Sequence, residues 1–231
     1  MVLEDLSWVR FCVTRDPYSR LLSGWINRVL LNSPDSLGED LAFTRESMRR
    51  SLPTDLGEEF RRFVRQLLST SVPVLTDQHF VSQFSLLRPD VFPYTDVVKL
   101  KEFDVFAARI AGSSSARRRF VPQPMNSSLR IDPQSAFDEE TAELVDSHFA
   151  EDFDQLGYER VKFPKKVAPI ALTEREVELI SIVRAKSDRV FDLQQLNASH
   201  STLRSHVHRH ATTIRRRVQT AARRVRSREG Q

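Results

Sequence analysis

Aromatic side chains are spread so unevenly along this chain that it must contain two kinds of structure. Of its 20 Phe, Tyr and Trp residues, 18 fall within residues 1–160, and only Phe163 and Phe191 lie beyond. Charge divides at the same place. Residues 1–160 hold 19 Lys and Arg against 25 Asp and Glu, a balance of −6, whereas residues 161–231 hold 16 against 6, a balance of +10. Aromatic rings bring the largest apolar areas to a core, so the core is expected within residues 1–160, with residues 161–231 as a basic α-helical C-terminal extension.

The 231 residues suffice for one substantial core plus such an extension. With 40% hydrophobic and 29% charged residues, the composition is that of a soluble globular protein rather than a disordered or fibrous one. No apolar run approaches the ~18 residues that span a bilayer, and MVLEDLSWVR lacks the basic-then-apolar layout of a signal peptide, so the expected location is cytoplasmic. The single cysteine, Cys12, excludes an intrachain disulfide and a cysteine-built zinc site from this chain alone. No metal site is expected.

Trp8, Val9, Phe11, Cys12 and Val13 form a nearly continuous apolar run, which predicts a strand buried on both faces and ending at Thr14-Arg15. Asp16 stands where an N-cap belongs and Pro17 at the first helical position. Leu21, Leu22, Trp25, Ile26 and Val29 follow at helical spacing as a buried face, and Asn32, Ser33 and Pro34 end that helix. A second helix is predicted from Asp55 to Leu68, with Phe60, Phe63, Val64, Leu67 and Leu68 on one side. After a loop with Asp77 and His79, Tyr94 to Leu100 reads as another buried strand and Phe103 to Ile110 as a short helix. Residues 112–130, rich in Ser, Pro and Arg, read as a loop. Glu139 to Leu156 reads as one helix stopped by Gly157. Strands alternating with helices predict an α/β layer with a parallel sheet.

Arg15 falls where a strand gives way to a helix, and in open α/β sheets ligands sit beyond the carboxyl ends of strands. An arginine there, beside a helix N-terminus and with Ser23 two turns along, suits bidentate binding of a phosphate. The competing reading is a surface salt bridge with Asp16 or Glu4. For His79 the competing reading is a loop histidine bonded to a backbone carbonyl.

The segment FCVTRDPYSRLLSGWINRV closely resembles the 3′-phosphate-binding segment of the membrane-type carbohydrate sulfotransferases, sulfotransferase family 2. Four further stretches resemble that family in its own order: TDQHFVSQ at 76–83, YTDVVKLKEF at 94–103, PMNSS at 124–128 and HFAEDFDQLGY at 148–158. The resemblance implies a P-loop-like parallel sheet flanked by helices at residues 1–160. It also implies transfer of a sulfuryl group from 3′-phosphoadenosine 5′-phosphosulfate to a hydroxyl, usually of a carbohydrate, without a metal. Arg15 and Ser23 would bind the 3′-phosphate. His79 would take the acceptor's proton, with Glu102 as the second candidate base and Asp77 orienting His79. The family's donor site also needs a Gly-rich, Lys-bearing loop upstream. Only 14 residues precede Arg15 and none makes that loop, so the domain is expected to be N-terminally truncated. Either Met1 is a misassigned start, or the chain is a truncated relative that binds nucleotide poorly and is inactive.

In the extension, Thr173 with Glu176 makes a capping box and Leu172 with Val177 a hydrophobic staple, so a helix begins there. From Ser201 to Arg228 no acidic residue occurs, and Val207, Ala211, Ile214, Val218, Ala221 and Val225 recur at gaps of 4, 3, 4, 3 and 4. That spacing predicts an amphipathic helix with an arginine-rich outer face. It would dock on the acidic first part or associate with a second copy through residues 165–228. The alternative is nucleic-acid binding: LTEREVELISIV and LNASHSTLRSHV resemble two helices of the response-regulator helix-turn-helix, with Ser199, Thr202, Arg204 and His206 toward DNA. His206, His208 and His210 at i, i+2 splay around a helix, which argues against a metal site.

Overall fold

Among the described residues, backbone pairing starts at Arg10, whose carbonyl accepts the Thr95 amide at 2.7 Å. The computed structural model describes residues 8–31, 52–69, 77–113, 129–194 and 196–197, and it divides into two units, Met1–Arg184 and Ala185–Gln231. In the first unit, strand β1 (Phe11–Thr14) pairs in parallel with strand β2 (Asp96–Lys99), in a register that sets Phe11 opposite Asp96 and Thr14 opposite Lys99. The parallel α/β arrangement read from the sequence is therefore present. Burial on both faces is not. Cys12 and Thr14 are buried, but Phe11 and Val13 are 44% and 36% exposed, and in β2 Val98 is buried while Val97 is 46% exposed. In this two-stranded sheet alternate side chains turn outward, so a continuous apolar run does not by itself distinguish a sandwiched strand from a half-buried one.

Helix α1 (Pro17–Trp25) starts as its sequence dictates, with the Asp16 carboxylate accepting the Ser19 amide at 2.9 Å and Pro17 in the first turn. It runs on as a π-helical turn, Ile26–Leu30, closed by the Leu31 amide on the Ile26 carbonyl at 2.8 Å. The expected buried face, Leu21, Leu22, Trp25, Ile26 and Val29, is buried. Helix α2 (Leu56–Ser69) buries Phe60, Phe63, Val64 and Leu67 in the same core, Phe60 meeting Trp25 edge-on at 5.3 Å between ring centroids. Such ring pairs contribute about 0.5–1.5 kcal/mol each beyond the area they bury.

After the turn at residues 77–80 come α3 (Gln83–Leu87), β2, a 3₁₀ turn at Leu100–Glu102 and α4 (Phe103–Ser113). Helix α5 (Pro133–Ala136) precedes Phe137, which stacks at a right angle on Phe60. The predicted single helix from Glu139 is two, α6 (Glu139–His148) and α7 (Ala150–Leu156), broken at Phe149. With the break, Val145, Phe149, Phe153 and Leu156 are all buried, and Asp152 is buried among them. Gly157 ends α7 at φ 66°, the left-handed conformation that only glycine adopts without strain.

Phe163, Ile170, Leu172 and Ile180 also pack on the core. The expected capping box forms: the Thr173 amide donates to the Glu176 carboxylate at 2.9 Å and the Glu176 amide to the Thr173 hydroxyl at 3.3 Å. Residues 174–184 are helical, with Val177 exposed rather than buried. In the second unit residues 185–194 are helical. The predicted helix from Ser201 to Arg228, the candidate DNA-facing residues from Ser199 to His206, and the segment PMNSS lie outside the described residues. No helix among the described residues is long and apolar enough to cross a membrane.

Candidate active site

Thr14 and Lys99 end the two strands side by side, and the residues that follow them line one cleft of about 500 Å³. Arg15, Asp16 and Ser19 come from the start of α1, Lys99 and Lys101 from the end of β2, and Tyr158 from just past α7. A cleft at the carboxyl ends of parallel strands is where α/β sheets bind ligands. Tyr158 is anchored through its hydroxyl to Thr14 Oγ1 at 2.8 Å, and the Lys99 ammonium lies 4.9 Å from the centre of its ring.

The Arg15 backbone is fixed by a side chain. Gln83 accepts the Arg15 amide at 2.8 Å and donates its own amide to the Arg15 carbonyl at 2.6 Å, as a neighbouring strand would. Gln83 is in turn positioned by Asp152, which accepts the Gln83 amide at 2.9 Å, the Phe84 amide at 2.8 Å and the Ser82 hydroxyl at 2.7 Å. The Arg15 guanidinium has no hydrogen-bonded or ion-paired partner among the described residues, so the competing salt bridge with Asp16 is not formed, and Glu4, the other partner considered, lies outside the described residues. Burial pushes its pKa down and the charge of Asp16 pushes it back up. A part-buried guanidinium stays charged and calls for an anion. Ser23 does not line the cleft with it; Ser19, one helical turn nearer, does.

His79 occupies a separate place, on the turn that α1 supports farther along. Its Nδ1 lies 2.7 Å from Asp77 Oδ1, and its backbone amide donates to the same oxygen at 2.8 Å. Arg28, on the π-helical turn and only 8% exposed, brings Nε to 3.5 Å from Asp77 Oδ2 and 3.2 Å from His79 Nδ1. Nδ1 cannot accept from Arg28 and donate to Asp77 at once. The closer carboxylate assigns the proton to Nδ1, which leaves Nε2 as the free base. Burial pushes the Asp77 carboxyl upward, but hydrogen bonds from His79 and the pull of His79 and Arg28 outweigh it and hold the carboxyl below the usual range. The imidazole side chain is 32% exposed, so it remains accessible.

Gly24 permits this approach. A Cβ there would stand 3.0 Å from Phe80 Cε1 and 3.2 Å from His79 Cβ. Gly24→Ala is therefore expected to lose the ~1 kcal/mol that alanine gains in a helix and to end about 1 kcal/mol less stable through overpacking. Gly112→Ala in α4, where nothing lies within 4 Å, should instead gain about 0.5 kcal/mol, and urea melts of the two variants shift in opposite directions.

Glu102 ends the 3₁₀ turn after β2 and is exposed; it does not line the cleft, although its charge helps push the Tyr158 hydroxyl upward behind the larger effect of burial. No hydrogen bond or ion pair among the described residues joins it to His79. No three His, Cys, Asp or Glu side chains among the described residues gather as they would around a metal ion. Sequence reasoning missed Lys99, Lys101 and Tyr158 in the cleft, and Arg28 beside Asp77. The Lys-Leu-Lys triplet at the end of a predicted strand was the available signal for the first two.

No curated protein and no solved structure matches the chain. The model of the Sulfotransferase family matches residues 3–159, more than half of the chain. That stretch begins before β1 and ends beyond Tyr158, so it takes in the cleft's Arg15, both lysines and the Asp77–His79 pair, and with them the chain belongs to the sulfotransferase family.

Proposed function

We propose that this chain serves sulfuryl transfer from 3′-phosphoadenosine 5′-phosphosulfate to a hydroxyl, with carbohydrates as the acceptor class, on a P-loop-like domain. Membership of the family supports the reaction type. The observation that carries the site assignment is Arg15: a part-buried guanidinium, without a partner among the described residues, in a cleft that also holds Lys99 and Lys101. Two or three cations around one concavity fit a phosphate dianion, and the N-terminus of α1 adds amide dipoles of the same sign. The 3′-phosphate is assigned to Arg15, with the Ser19 hydroxyl as the nearer helper and Ser23 one turn beyond. None of the described residues is assigned to the donor's 5′ end.

His79 is assigned the proton transfer. As the acceptor oxygen bonds to sulfur, the bond from sulfur to the donor's 5′-phosphate oxygen breaks and adenosine 3′,5′-bisphosphate leaves with that electron pair, while the acceptor's proton passes to Nε2 and Asp77 holds Nδ1–H and steadies the imidazolium that forms. Glu102 is the second candidate for this role.

Titration with adenosine 3′,5′-bisphosphate tests the phosphate assignment. Arg15→Ala removes a charged bidentate contact worth about 1.5–3 kcal/mol, so its affinity is expected to fall more than tenfold. Equal affinities would overturn the assignment.

A further inference from the structure

Between the cleft and His79 lies a residue that neither role uses. Arg20 projects from the middle of α1, and its guanidinium donates at one end to the Val81 carbonyl at 2.5 Å and at the other to the Gln78 carbonyl. His79 sits between those two carbonyls in sequence, on a turn that has no helix or strand ladder of its own. Two carboxylates also act on Arg20: burial lowers its pKa, and Asp152 and Asp77 raise it. The same short segment meets α1 at both flanks, through Gln83 on the Arg15 backbone and through Arg28 on Asp77. Arg20 supplies the middle attachment.

We propose that Arg20 is a positioning residue for His79: by bridging the carbonyls of Gln78 and Val81 it fixes the Asp77–His79 turn on α1, the helix that Arg15 immediately precedes. Its bearing on catalysis rests on the transfer reading above. The planar guanidinium suits the task, because its fork spans two acceptors at a set separation, which a lysine ammonium cannot do. One rigid helix thereby sets the distance between the phosphate-binding arginine and the base.

Hydrogen exchange and histidine NMR on the full chain test this without recourse to activity. In wild type the His79 amide, bonded to Asp77 Oδ1, and the Phe80 amide, bonded to the Asp77 carbonyl at 3.0 Å, report closure of the turn. Arg20→Gln is expected to raise exchange at both amides about tenfold, with the amides of α2 unchanged, and to broaden the Nδ1–H signal of His79. Arg20→Lys should recover part of the protection. Arg62→Gln, which removes an exposed pair with Glu59, should change neither amide. Unchanged exchange at His79 in Arg20→Gln overturns the proposal, as does a loss spread evenly through α2. If Arg20→Gln fails to fold, Arg20→Lys carries the test: partial loss of protection confined to the turn supports the proposal, and full wild-type protection overturns it. Adenosine 3′,5′-bisphosphate separates the two readings. If the wild-type chain does not bind it, the transfer reading fails while the exchange result still decides the role of Arg20.

Discussion

Asp152→Ala is expected to destabilise the protein by about 3–5 kcal/mol, several times the loss expected from Gly24→Ala. The carboxylate is 0% exposed and accepts three hydrogen bonds, from the Ser82 hydroxyl and from the Gln83 and Phe84 amides at the start of α3. Each bond to a charged acceptor contributes about 1.5–3 kcal/mol, and they are not additive because one group makes all three. Truncation leaves three donors facing a small void, so the loss exceeds that of a single bond. The urea midpoint should fall accordingly, and Asp152→Asn, which keeps one acceptor oxygen but turns an amide donor toward other donors, should fall between the two. A midpoint equal to wild type would show that the buried carboxylate contributes nothing net. Nucleotide affinity should fall with stability, because Gln83 loses the anchor that lets it hold Arg15.

The second large effect is expected in turnover. His79→Ala should lower sulfuryl transfer by about a hundredfold or more while leaving affinity for adenosine 3′,5′-bisphosphate nearly intact. The separation follows from the geometry, since the imidazole stands on the turn held by Asp77 and Gly24 and does not line the Arg15 cleft. The measurement is label transferred from donor to carbohydrate acceptor. Unchanged turnover would pass the proton to Glu102, whose exposed position at the end of the 3₁₀ turn leaves it free to meet an acceptor.

Features that depend on a few neighbouring residues were legible in the sequence. Asp16 and Pro17 announce the start of α1, Thr173 and Glu176 cap their helix as their spacing requires, and Gly157 takes the positive φ that a helix stop needs. The apolar stripes of α1 and α2 likewise reach the core. What escaped depends on partners far along the chain. Asp152 reads locally as one more acid on a solvated helix, and only Ser82, Gln83 and Phe84, about 70 residues earlier, make it a core residue. The break at Phe149 belongs to the same long-range arrangement. Arg28 reads as a surface cation until the π-helical turn places it beside Asp77. For the candidate site, Arg15 lines the cleft and His79 stands apart from it, and helix phase decides that Ser19 rather than Ser23 lines the cleft.

Gln83 holds the corner at Arg15 through a neutral amide, and this has a use for the experimenter. Added salt screens charges over about 8 Å at physiological strength but leaves short bonds between uncharged groups almost untouched. The posture of the Arg15 backbone should therefore be the same in dilute and concentrated buffer. Ionic strength then becomes a ruler for the ligand: the decline of affinity with salt reads how many charges the bound molecule brings to Arg15, Lys99 and Lys101, uncontaminated by movement of the pocket wall.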